Sequence, residues 1–157
     1  MADLELIIDF VNTADREEGR DDLERWLGRS GDVREARAVR EALRQLLRAN
    51  NGVDADLAVP SDVLDAAARR ERLSVRFHDG SVRLMARAGD RPGRLAYVLA
   101  AVAEAMADGS WSRLKACRSD TCQWAFVDHA RNRSRQWCDM SVCGNRQKVR
   151  TFRSRHA

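Results

Sequence analysis

The sequence predicts an α+β chain: a helix-dominated N-terminal domain with one β-hairpin, then a C-terminal four-cysteine module of treble-clef type. Three observations lead there. Apolar residues recur at helical spacing through most of the first 110 residues. One stretch instead alternates at period two around an Asp-Gly pair. Finally, the only four cysteines of the 157-residue chain fall within the twenty-seven residues from Cys117 to Cys143.

The helices follow in order. Leu4, Ile7, Ile8 and Val11 fall at i, i+3, i+4 and i+7, one face of a helix. Leu23, Trp26 and Leu27 mark a second. Asp32 is placed to cap the next, with Glu35 three residues on as in a capping box, and that helix buries Val39, Leu43, Leu46 and Leu47. Asn50-Asn51-Gly52, suited to left-handed backbone, ends it. Ser61 is expected to cap a short helix through Leu64 and Ala68. The hairpin comes next: Leu73, Val75 and Phe77 on one strand, an Asp79-Gly80 turn, Val82 and Leu84 on the other. A loop from Gly89 to Gly93 precedes a helix from Arg94 to Ala107, which stops at Asp108-Gly109.

The cysteines run Cys117-x4-Cys122, then fifteen residues, then Cys138-x4-Cys143. Two close pairs across a loop give one tetrahedral metal ion four thiolates from a single chain, and four thiolates leave no open position for water. The expectation is one structural Zn²⁺; four thiolates also suit iron. His129 lies nearby, but the four sulfurs already complete the shell. A module this small buries too little surface to fold alone, and metal binding makes up the deficit. Leu114 to Cys117 and Gln123 to Val127 read as two short strands. Trp124, Trp137 and Phe152 read as the core of the module. After Cys138 the pattern turns helical, with Val142, Val149 and Phe152 on one stripe.

Charge divides the chain at a composition shift near Gly109 to Trp111, giving expected domains 1–110 and 111–157 that pack together. From Trp111 onward there are eleven Lys or Arg against three acids, leaving 17 of the 28 basic and 21 of the 24 acidic residues to the first part. Unneutralised positive charge on a small surface is the footprint of a polyanion binder. Arg131, Arg133 and Arg135 alternate, so in extended backbone they point the same way. Arg146, Arg150 and Arg153 form a helical ridge, with Lys148 and Arg155 on its other flank. The acidic start of the chain is unlike a secretory signal, which places the protein in the cytoplasm, where thiols stay reduced. The longest apolar stretch, Leu95 to Ala107, is shorter than the roughly 20 residues a membrane span needs.

The run Cys138-Asp-Met-Ser-Val-Cys143-Gly144-Asn145-Arg146 resembles the bacterial CGNR zinc finger. So do Cys117-x4-Cys122-x-Trp124-x-Phe126-x-Asp128, Arg133-Ser134-Arg135-Gln136-Trp137, Lys148 and the Phe152-Arg153-Ser154-Arg155 ending. The likeness covers about the last 45 residues. The first 110 residues are similar to the domain called ABATE, through Asp9-Phe10-Val11-Asn12-Thr13 and the helix–hairpin–helix order. This resemblance implies zinc-stabilised DNA binding in bacterial transcription control, with a stress response. If the last helix enters a major groove, Asn145, Arg146 and Gln147 carry base-reading chemistry. Arg131, Arg133, Arg135, Arg150 and Arg153, with Lys148 and Arg155, would hold phosphates. Asn145 competes for a second role, capping backbone at the knuckle.

Other readings stand beside this one: a zinc-stapled protein-interaction module, a thiol-redox switch, or an RNA binder. Trp124, Trp137 and Phe152 could stack on unpaired bases instead of forming a core. Asn12-Thr13-Ala14-Asp15 either line a pocket or end a helix. A homodimer, and a small effector on the N-terminal domain, are the remaining expected partners. No phosphate loop, nucleophile elbow, paired-His motif or spare cysteine suggests an enzyme.

Overall fold

The computed structural model describes residues 2–86 and 93–156. Helix α1 (Leu4–Val11) starts at Asp3, whose Oδ1 accepts the Leu6 amide at 3.0 Å. It buries Ile7, Phe10 and Val11, while Leu4 and Ile8 stay partly exposed. The buried stripe is Ile7, Phe10 and Val11, at i, i+3 and i+4. Strands β1 (Ala14–Asp15) and β2 (Arg20–Asp21) pair antiparallel, so Ala14 and Asp15 enter a small ribbon. Helix α2 (Leu23–Leu27) and a 3₁₀ turn (Gly28–Ser30) then lead to α3 (Val33–Asn50).

Helix α3 is the spine of the molecule. Asp32 caps it as predicted, accepting the Arg34 and Glu35 amides at 2.9 and 3.1 Å. The other half of the capping box is not made, because Glu35 Oε1 takes the Arg70 guanidinium at 3.1 Å instead. A cation is the stronger partner for that carboxylate. Val39, Leu43, Leu46 and Leu47 are buried on α3, and so are Arg40 and Arg44. Helix α4 (Ala58–Arg70) starts earlier than expected. Ser61 therefore sits in its first turn and donates to the Leu57 carbonyl at 2.7 Å, where it caps nothing. Pro60 fits there because the first turn leaves its amide positions unpaired anyway.

Strands β3 (Leu73–His78) and β4 (Ser81–Ala86) form the predicted hairpin, with Val75 opposite Leu84 and Phe77 opposite Val82. Asp79 (φ 47°) and Gly80 (φ 73°) both adopt left-handed backbone, the type I′ turn that Asp-Gly favours. The expected loop Gly89 to Gly93 lies, apart from Gly93, outside the described residues. Helix α5 (Arg94–Asp108) ends on Gly109 at φ 80°. Strands β5 (Leu114–Ala116) and β6 (Ala125–Val127) then pair antiparallel.

The cysteine-bearing segment joins the helices in one core: Leu114, Ala116 and Ala125 pack with Ile7, Val11, Leu43, Leu47 and Val98. Asparagines hold the seam. The Asn12 amide donates to the Ala125 carbonyl at 3.0 Å and accepts the Ala125 amide at 2.8 Å, as another strand would. Asn50 Nδ2 donates to the Trp111 and Leu114 carbonyls at 2.9 and 3.0 Å. Asn51 Nδ2 donates to Ala116 and Gln136, both at 2.8 Å. In return, Arg118 Nε donates to the Asn51 carbonyl at 2.8 Å. The Asn50-Asn51-Gly52 run thus does more than stop a helix, and only Gly52 (φ 73°) takes left-handed backbone.

Candidate metal centre and nucleic-acid interface

Two turns bring the four sulfurs together. In the first, the Cys122 and Gln123 amides donate to the Ser119 carbonyl at 3.1 and 3.0 Å, and Gln123 turns left-handed at φ 54°. Cys117 N donates to the Trp124 carbonyl at 2.9 Å, closing that knuckle onto the β5–β6 pair. In the second, Asp139 accepts the Ser141 and Val142 amides at 2.7 and 3.3 Å and opens a π-type turn, Met140–Gly144, that runs into α6 (Asn145–His156). The helical pattern expected after Cys138 thus begins as this turn and becomes an α-helix at Asn145.

The sulfur atoms of Cys117, Cys122, Cys138 and Cys143 all lie within 4.8 Å of one another. Cys122 and Cys138 are 3.5 Å apart, and Cys138 and Cys143 are 3.7 Å apart. A tetrahedral ion with Zn–S bonds of about 2.3 Å sets its sulfurs about 3.8 Å apart, so the donor set fits. The sulfurs cannot carry four charges on their own. Hydrogen bonds from the Cys122 and Cys138 thiols pull Cys117 down to about 2. The reciprocal bond to Cys117 pushes Cys122 up to about 12. Cys138 also rises, chiefly through its bond to Cys117, and Cys143 rises through burial. A divalent cation is what lets all four ionise together. Trp124 and Trp137 pack against the cluster, while His129 is exposed and outside it.

Sequence comparison agrees with this geometry. The family described as a putative stress-induced transcription regulator, ABATE, matches residues 4–109. The chain belongs to the ABATE family. The CGNR zinc finger matches residues 113–156, and its four cysteines form a single structural zinc site. No curated protein matches the chain. The ABATE match takes in α1 to α5, and the CGNR finger holds β5, β6, both knuckles and α6.

The basic residues of the CGNR finger do not all lie as their spacing predicted. Arg131 is exposed. Arg133 turns left-handed at φ 52° and donates to Ser112 Oγ at 2.8 Å, so the alternating stretch is not extended. Arg135 folds back over the Phe126 ring at 4.7 Å, and its Nε donates to the Trp137 carbonyl at 2.9 Å. Asn145 donates to the Ser141 carbonyl at 3.0 Å, the backbone role anticipated for it. Gln147 reaches Thr151 Oγ1 at 3.4 Å, and Arg146 pairs with Glu17 of the β1–β2 turn. Lys148, Arg150, Arg153 and Arg155 are exposed, with no acid in ion-pair range among the described residues. The Val142–Val149–Phe152 stripe is open, at 41%, 48% and 63% exposure, so Phe152 is not part of the expected aromatic core. Helix α6 has no buried residue.

Sequence reasoning missed the polar frame of the CGNR finger. Lys115 and Asp128 are buried, at 5% and 0% exposure, and pair at 2.7 Å. Burial alone would raise the Asp128 pKa, but the Lys115 ammonium and the Ala130 and Arg135 amides outweigh it and hold it low. Lys115 Nζ also donates to the Arg133 and Arg135 carbonyls at 2.5 and 3.1 Å, so the pair pins the loop between the two cysteine knuckles. In the ABATE domain, Arg40 holds Asp21 in a bidentate pair at 2.7 and 2.9 Å, and Arg44 donates to the Val11 carbonyl at 2.7 Å. Asn12 and Thr13 border an open cleft with Trp26, Arg94 and the finger's Trp124, but their own side chains are engaged internally. Among the described residues, no helix is long and apolar enough to cross a membrane.

Proposed function

We propose that this chain is a zinc-stabilised, DNA-binding transcriptional regulator of the bacterial cytoplasm, acting by binding and not by catalysis. One observation carries the reading. Helix α6 has five cations, no acid and no buried residue, and it leaves the knuckle that zinc holds. Arg150 and Arg153 meet phosphates on one side of the helix, and Lys148 and Arg155 on the other. Arg146 joins them once Glu17 releases it, and Arg131 contributes from the loop. Arg133 and Arg135 act chiefly by holding that loop in shape. Gln147 and Arg146 lie nearest the helix start and are the base-reading candidates. One finger covers little DNA, so a dimer of this chain supplies the specificity, and the ABATE domain carries the regulatory input, including any small effector.

The test is duplex binding across a salt series, with the zinc-loaded protein beside an Arg150→Gln variant. Phosphate contacts make log K fall linearly with log salt, at about −0.9 per contact, so the variant's slope flattens by about one unit. A docking module for another protein would show no such slope and no response to Arg150→Gln. That result overturns the proposal.

A further inference from the structure

We infer that the finger carries a second nucleic-acid site: an aromatic cleft on α6, opposite the Arg146–Arg150–Arg153 ridge, that stacks an unpaired base of single-stranded DNA. The inference rests on the reading of the finger as a nucleic-acid surface and adds a substrate class to it. Phe152 is 63% exposed and stacks on His156, with ring centroids 4.2 Å apart and planes 27° apart. Trp137, seated against the cysteine cluster, forms another part of the lining. Gly144 lies between these walls, and a Cβ there would come 2.7 Å from Met140 Sδ and 3.4 Å from Trp137 Cδ1. The open cleft offers about 410 Å³.

Charge decides the occupant. Lys148 and Arg155 border the cleft, and no acid among the described residues lines it. An apolar peptide would fill the aromatic slot but leave those cations without partners. A nucleotide presents a π-face to the rings and a phosphate to the cations, the combination that single-strand binders use. A base inside a duplex shows only its edge, so the cleft requires an unpaired one. The arginine ridge on the far side of the helix has no exposed aromatic ring and suits duplex phosphates instead.

The probe is a short oligothymidylate, titrated against the zinc-loaded full chain beside a duplex at the same salt. Alanine in place of a stacking aromatic costs roughly tenfold per base, so Phe152→Ala weakens oligothymidylate binding by about that factor. Duplex affinity and both salt slopes stay as they were, and Phe152→Trp restores the loss. Zinc content and circular dichroism confirm that the variants fold, as expected for an exposed side chain. Equal losses on both nucleic acids, or no loss on the single strand, overturn the inference. So does self-association that Phe152→Ala abolishes while leaving oligothymidylate affinity intact, since a second copy then covers this face. Tighter capture of oligouridylate reassigns the cleft to RNA and refutes the DNA assignment. Loss of duplex binding alone, with the Phe152 effect intact, refutes the regulator reading and leaves the cleft standing.

Discussion

Replacing Asp128 with asparagine tests what holds the zinc loop in shape. Asp128 Oδ2 accepts Lys115 Nζ at 2.7 Å and the Arg135 amide at 3.0 Å, and Oδ1 accepts the Ala130 amide at 2.9 Å. An asparagine must turn its NH₂ group toward one of these donors, whichever way the amide faces. The Lys115 ammonium meanwhile stays buried with only two carbonyls to answer it. Removing one partner of a buried ion pair costs about 3–5 kcal/mol. For a chain of this size that lowers Tm by roughly 10 °C. Thermal and urea denaturation of zinc-loaded protein measure the loss, and transfer of zinc to a chromophoric chelator should quicken alongside it. Asp128→Asn combined with Lys115→Met removes the stranded charge and should recover much of the cost. A single variant within about 0.5 kcal/mol of the parent, or a double variant whose losses simply add, would refute the pair as the loop's anchor.

Three further outcomes follow from the same contacts. Glu17→Gln frees Arg146, so duplex affinity should rise by about twofold to fivefold, the worth of an exposed ion pair, and the salt slope should steepen by about one unit. An unchanged affinity would remove Arg146 from the interface. Asn12→Ala strips both backbone groups of Ala125 of their partners and should cost about 2–4 kcal/mol in urea denaturation; Asn51→Ala strips the Ala116 carbonyl and leaves the Gln136 carbonyl only the Arg118 amide, for about 1–3 kcal/mol, with zinc stoichiometry retained in both. The Arg40 hydrogen bonds hold the Asp21 pKa at about 2, below the ordinary value of about 3.9. The unfolded chain therefore takes up the proton first, so the stability that Asp21 supplies above pH 4 is lost as pH falls toward 2. The stability gap between parent and Asp21→Asn should shrink over that interval, and a constant gap would contradict the assignment.

Local chemistry was legible where it needed only neighbouring residues. The Asp32 cap, the Asp79-Gly80 turn, the Gly109 stop and the doubled cysteine spacing each rest on contacts within a few positions. Long-range polar pairings were not legible. Asn12, Asn50 and Asn51 look like turn residues in sequence, and only the fold shows that their amides stitch helices to the finger. Arg40, Arg44 and Lys115 belong to types that normally stay in water, and their burial depends on partners far away in the chain. Helical spacing placed Val142, Val149 and Phe152 on a stripe, but spacing says nothing about whether another element covers it. The alternating arginines were misread for a related reason. Their alternation aligns them only in extended backbone, yet Arg133 turns left-handed and Lys115 holds the Arg133 and Arg135 carbonyls.

The most direct measurement is duplex binding across a salt series by the full chain, before and after its zinc is stripped by a chelator, with metal content read on the same samples. With one zinc per chain, the four free cations of α6 and Arg131 of the loop should give a log–log slope of about −4.5. Stripping the metal should weaken binding by roughly tenfold or more, as the knuckles lose the ion that folds them. A chain that holds no stoichiometric zinc, or that grips the duplex equally well with and without it, would contradict the idea that a thiolate-bound ion presents this helix to DNA.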